Sequence, residues 1–198
     1  SPSSTASMGK KSPPKSPPKP LTEAEIAELP YRPGVGITLF NQRGQVFVAP
    51  AGKGRLVEVT RRPGVRYRQA RFLPDGAALV ALSDESGEVE LWKLPANGVG
   101  PASQLTRDGE VLRWEAEPSP NGRWLAHTDK NQRLWLLDVE RGSSRLIASS
   151  DVDDLRDLVW SPDSRTLAYV VPAANGMSRI ALYDTVDEVT VLATSDRF

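Results

Sequence analysis

The chain has 198 residues, with Lys plus Arg and Asp plus Glu balanced at 25 each. A net charge near zero gives no electrostatic ground for expecting nucleic acid or an anionic membrane as partner. The absence of cysteine excludes disulfides, thiolate catalysis and cysteine-ligated metals, but it does not fix the compartment.

Residues 1–20, SPSSTASMGKKSPPKSPPKP, hold four lysines, no acids, and repeated Pro and Ser. Such a stretch cannot bury enough apolar surface to offset its ordering entropy, and a disordered tail is expected. The sharper alternative is a polyproline ligand built on Pro13-Pro14-Lys15-Ser16-Pro17. No charged-then-apolar leader opens the sequence, and no apolar run approaches the length of a membrane span. Over Leu21–Pro30, Thr22 and Glu25 form a capping box and Pro30 is a stop, which predicts a short helix of about two turns. A hairpin is then expected, with strands Ile37–Phe40 and Gln45–Ala49 joined by the turn Asn41-Gln42-Arg43-Gly44.

This helix and hairpin, opening Tyr31-Arg32-Pro33 and Val35-Gly36-Ile37, resemble the N-terminus of Nudix RNA pyrophosphohydrolases over about residues 10–49. That resemblance would imply a metal held by a box of glutamates. No residues after Ala49 carry the box, so no pyrophosphate hydrolysis is expected from it.

Beyond the hairpin, three lines of sequence align. Arg71-Phe72-Leu73-Pro74-Asp75-Gly76, Glu117-Pro118-Ser119-Pro120-Asn121-Gly122 and Val159-Trp160-Ser161-Pro162-Asp163-Ser164 each lead into a short apolar strand. A second apolar strand follows each time, through Leu91-Trp92, Leu134-Trp135-Leu136 and Ile180-Ala181-Leu182. Pro74, Pro120 and Pro162 recur at the period of a four-stranded propeller blade. Pro presets the first corner of the turn, Asp or Asn accepts a local backbone bond, and Gly takes the positive-φ position. Pro162-Asp163-Ser164 lacks the glycine, so a strained turn is expected there. A closing strand is predicted at Ser103–Thr106, Ser144–Ala148 and Val189–Leu192. The first unit has three strands, Gly36–Phe40, Gln45–Ala49 and Leu56–Thr60, with no candidate for its inner one. The expected fold class is all-β: a partial β-propeller of three full four-stranded blades plus most of a fourth, with one short N-terminal helix. The domain reading is a tail over 1–20, a Nudix-like helix and hairpin over 21–49 merging into the first blade, and blades over 36–198.

The repeats resemble those of TolB and of tricorn-type serine peptidases, most closely over Arg43–Phe198. That resemblance implies a propeller that gates or guides peptides to a separate catalytic region, which these residues do not include. Gln45–Ala49 fits both resemblances, and a chimera joined in that shared strand would account for them. A hydrolase role inherited from either relative is the alternative function.

His127 is the sole histidine, so any Ser–His pair must use it. A structural place at a strand end, bonded to a neighbouring blade, is the expectation. No catalytic residue, metal site or cofactor is expected. The candidate binding residues are Arg62, Arg66 and Arg68, in the run Arg61-Arg62-Pro63-Gly64-Val65-Arg66-Tyr67-Arg68-Gln69-Ala70-Arg71. Such a cluster suits a peptide carboxylate or a phosphate. Alternatively, these arginines pair with acids such as Asp151, Asp153 and Asp154. Trp92, Trp114, Trp124, Trp135 and Trp160 fall at repeat positions and are expected in the core between blades. An open fragment would expose strand edges. Closure is expected either as a four-bladed ring completed by the Nudix-like hairpin, or by pairing of two chains into a homodimer, as a closed eight-bladed ring or a swapped dimer.

Overall fold

The structure, a computed structural model, describes residues 37–42, 44–50, 55–109 and 111–195. The expected tail and helix lie outside these residues. The described residues form one three-stranded and three four-stranded antiparallel sheets. The first blade comprises β1 (Ile37–Gln42), β2 (Gln45–Pro50) and β3 (Val57–Glu58). The second comprises β4 (Tyr67–Phe72), β5 (Ala78–Ser83), β6 (Glu90–Pro95) and β7 (Ser103–Gln104). The third runs β8 (Arg113–Pro118), β9 (Trp124–Asp129), β10 (Arg133–Asp138) and β11 (Ser143–Ser149). The fourth runs β12 (Arg156–Trp160), β13 (Thr166–Pro172), β14 (Ser178–Asp184) and β15 (Thr190–Leu192). The strands of each blade pair in simple chain order, which is a partial propeller of three full blades and a three-stranded fourth. The first hairpin is tighter than its turn residues suggested. Gln42 pairs with Gln45, so the connection shrinks to residues 43–44, and Gly44 takes a φ of 79°.

The proline turns are built alike. The backbone N–H of Gly76, Gly122 and Ser164 donates to the carbonyl of Leu73, Ser119 and Ser161 at 2.8, 2.9 and 2.9 Å. Asp75, Asn121 and Asp163 each accept a backbone N–H two residues on, at 3.0 Å. Ser164 does sit in the left-handed region, with φ 62° where its counterparts are glycines at 66° and 72°. The serine has a local reason. Its side-chain oxygen accepts the backbone N–H of Asn121 at 2.9 Å, tying the fourth blade's turn to the third's, and Ser164 is 3% exposed. Ser164→Ala keeps the strained φ and loses that bond. Urea titration is expected to show it destabilised by about 0.5–1.5 kcal/mol, the net worth of one hydrogen bond whose donor, on the exposed Asn121, can turn to water instead.

Alternation along each strand gives every blade two apolar faces. We call the face toward the preceding blade leading and the other trailing. Val46 and Val48 of the first blade pack on Leu79, Ala81 and Leu94 of the second. Val80, Leu82 and Leu91, on the second blade's trailing face, pack on Leu125 and Leu137 of the third. Ala126, Leu134 and Leu136 pack on Leu167, Tyr169, Ala181 and Tyr183 of the fourth. The core is thus three parallel layers between blades rather than one central cluster. The tryptophans divide. Trp92 is buried, and Trp124, Trp135 and Trp160 are half-buried, but Trp114 is 41% exposed, against expectation. The reason is a bulge. Arg113 pairs with Asp129 and Glu115 with Thr128, which leaves Trp114 as the unpaired extra residue and turns it out of the layer.

Candidate functional site

The junction between the second and third blades holds a buried ion pair. Arg113, at the start of β8, is 3% exposed, and Glu90, at the start of β6, is 1% exposed. The Arg113 Nη1 lies 3.0 Å from the Glu90 carboxylate and also donates to the Val89 carbonyl at 3.0 Å. Its Nη2 donates to Asp108. The Thr106 hydroxyl accepts the Leu91 N–H at 2.9 Å and donates to Glu90, while the Gly109 N–H donates to the other Glu90 oxygen at 2.5 Å. A buried ion pair therefore comes with hydrogen bonds to both carboxylate oxygens, the condition under which such a pair can hold. Burial pushes Asp108 upward, but the bond and the charge of Arg113 outweigh it and leave this carboxyl below its usual range.

His127 is in the middle of β9, on the leading face, not at a strand end. It is 2% exposed, and neither ring nitrogen has a hydrogen-bond partner, so the expected bond to a neighbouring blade is not formed. Its ring stacks on Trp135 across the strand pair, with centroids 6.5 Å apart and planes 11° from parallel. Burial, with the Arg113 charge adding to it, lowers the imidazole pKa to about 3. At neutral pH this is a neutral, sealed ring.

The arginine run does not converge on one point. Arg62 donates to Glu85, Arg66 lies 3.7 Å from Asp84, and Arg68 donates to the Arg113 carbonyl at 3.0 Å. Arg71 bonds Glu117 at 3.3 Å, from one inner strand to the next. The acids are thus Asp84, Glu85 and Glu117 rather than Asp151, Asp153 and Asp154. Arg66 and Arg68 share the rim of a groove of about 280 Å³ with Asp84, Val89 and Leu112, and Arg62 is not part of it. A larger groove of about 640 Å³ runs between the first and second blades beside Leu56, Arg61 and Val99. Among the described residues no group of three or more His, Asp or Glu side chains is gathered as a metal site would need, and no helix is long and apolar enough to cross a membrane.

Sequence reasoning missed the inner-strand bulges, which fall between Arg68 and Arg71, Arg113 and Glu115, and Arg156 and Val159. Gln69 and Asp157 there take φ of 51° and 57°. Their signal is the inner strand itself, where apolar residues fall out of strict alternation.

Layered blades, joined at one junction by a buried ion pair and with the one imidazole shut inside, define a β-propeller segment. The chain belongs to the family of the tricorn protease second beta propeller domain, whose family model matches residues 29–198. It is 30% identical over 141 residues to the putative tricorn-like protease C-terminal subunit of Sulfurisphaera tokodaii, covering 71% of this chain and 16% of that protein. It is 28% identical over 147 residues to human coronin-7, covering 69% of this chain and 16% of that protein. Among solved structures it superposes on the tricorn protease with a TM-score of 0.71 at 21% identity, over 82% of this chain and 16% of that one. TolB from Acinetobacter baumannii matches at 0.63 and 18% identity, over 81% of this chain and 40% of that one. These two structural likenesses speak to the fold. The chain spans about a sixth of the length of these two relatives.

Proposed function

We propose that this segment is a non-catalytic propeller module of a tricorn-like protease, a scaffold that guides peptides rather than cleaving them. The observation that carries this reading is His127. A serine nucleophile needs an accessible base with a pKa near the working pH. The sole imidazole is buried, held neutral down to about pH 3, and stacked on Trp135. The peptide-guiding role would fall to Arg66 and Arg68, which share a groove rim and stay partly paired. The finer reading of origin is a chimera joined within Gln45–Ala49. What supports it is that this strand, β2 of the first blade, lies where the sequence resembles both families. The test is peptide hydrolysis by the purified chain. No turnover above background is expected. Turnover that is lost on His127→Ala would overturn the scaffold reading.

A further inference from the structure

The blades repeat closely enough to compare position by position. Ile37, Ala78, Trp124 and Thr166 each open a second strand, opposite Pro50, Pro95, Asp138 and Asp184 in the third. Counting back two residues from the latter four places Val48, Lys93, Leu136 and Leu182 at one position. It lies on the trailing face, where Val48 and Leu136 are 5% and 0% exposed. Lys93 is the exception, a charged residue where the other blades carry an aliphatic one. It stands opposite the fully buried Val80 and is itself half-buried. Its stem can lie along the apolar layer only if its ammonium is turned to the layer's edge. Among the described residues that ammonium has neither an ion pair nor a hydrogen bond. A residue that breaks the local pattern without a compensating contact marks a functional position.

Lys93 lines a groove of about 390 Å³ between the second and third blades, beside Pro74, Asn121 and Arg123 of the proline turns. Both blades are complete, and each has a neighbour on either side. Arg123 supplies a second cation. Its guanidinium stacks on Trp124 at 4.4 Å and lies 3.6 Å from Asp138, and its side chain is 52% exposed, so donors stay open to a ligand. An ammonium and a planar fork suit anionic oxygens. Two carboxylates, those of Asp75 and Glu140, line the same groove. They repel a phosphate dianion more strongly than a singly charged carboxylate. We infer that this groove binds a small molecule through its carboxylate, with Lys93 and Arg123 as the cations that hold it. The site is separate from the groove of Arg66 and Arg68, which opens at the other end of the same two blades.

Amide NMR of the isotope-labelled chain, titrated with N-acetylglycine at pH 7 and constant ionic strength, provides the test. Saturable shifts are expected in the amides of Lys93, Asn121, Gly122 and Arg123, with a matching rise in the urea midpoint. Lys93→Leu installs the kind of residue that the other blades carry at this position. It is expected to raise the urea midpoint of the free protein and to weaken binding at least about tenfold, the scale of one lost charge-assisted hydrogen bond. Lys93→Met, unbranched like lysine, should lose binding equally and guards against a packing fault in the leucine variant. Arg123→Gln should weaken binding by a similar factor. The proposal is overturned by a chain that shows no saturable shift, or by shifts that gather at Arg66 and Arg68 instead. It is equally overturned if both Lys93 variants bind as wild type does, or if inorganic phosphate saturates the groove at a lower concentration than the carboxylate.

Discussion

His127→Leu is expected to leave the protein at least as stable as wild type at pH 7 and to flatten its response to acid. In the unfolded chain the imidazole takes up a proton near its ordinary pKa of 6.5. In the folded chain it resists protonation down to about 3. Between those values the unfolded state binds more protons, so stability falls as pH drops through the window and is fully present above 6.5. Each pH unit inside the window removes about 1.4 kcal/mol, or about 4–5 kcal/mol over its whole width. That is a large part of the stability of a typical domain. The charged groups facing the ring act in opposite directions. Arg113 opposes protonation and Asp108 favours it, with desolvation exceeding both. Leucine has no polar atoms to strand and a similar volume, so replacing two unpartnered ring nitrogens should cost little. Urea midpoints at pH 7, 5.5 and 4.5 provide the measurement. Below pH 4.5 the paired carboxylates take over, because Asp108 and Asp138, held below the usual range, lose their contribution as they protonate. A variant whose midpoints fall as steeply as wild type between pH 6.5 and 4.5 would contradict the assignment.

Arg113→Met should be among the most damaging single changes in the molecule, at about 3–5 kcal/mol, because it leaves the Glu90 carboxylate buried without its cation. Methionine fills the space of the aliphatic stem, so the loss reports on charge more than on packing. Adding Glu90→Gln to Arg113→Met is expected to recover most of the stability. The amide oxygen still accepts the Gly109 N–H, the amide NH2 in the other position can donate to the Thr106 hydroxyl once that hydroxyl turns, and no uncompensated charge remains. The pair is then best read through a double-mutant cycle, since the two side chains are in direct contact. A single-variant loss under about 1 kcal/mol would show that water reaches Glu90.

The turns and the strands between them were readable because both are local. Pro74-Asp75-Gly76 and Pro120-Asn121-Gly122 have one low-energy solution each. Their spacing announced the blades before any long-range contact was known. Ser164 could be marked as an exception from the missing glycine alone, but its bond to Asn121 could not, since the partner is 43 residues away. The same limit hid the Glu90–Arg113 pair. Both residues open ordinary strands, and nothing in either neighbourhood says that two charges will meet under 5% exposure. Trp114 was misplaced for a different reason. A period-two reading assumes an unbroken ladder, and one inserted residue turns the side chain to the wrong face. The partners of Arg62, Arg66 and Arg71 were acids of the same or the adjacent blade rather than the acidic stretch near Asp151. Loops at one end of a propeller meet their immediate neighbours first.

Layers between blades, in place of a single centre, make this protein a short one-dimensional array. Each blade answers mainly to the two beside it, so stability is shared along the arc as a set of neighbour couplings. The second and third blades are clasped on both sides and joined by Glu90 and Arg113, and they form the cooperative heart. The fourth ends in β15, exposed at all three residues and held by one neighbouring strand. Within the fourth blade, hydrogen exchange should therefore reach the amides of β15 well before those of β13, which lies between two strands.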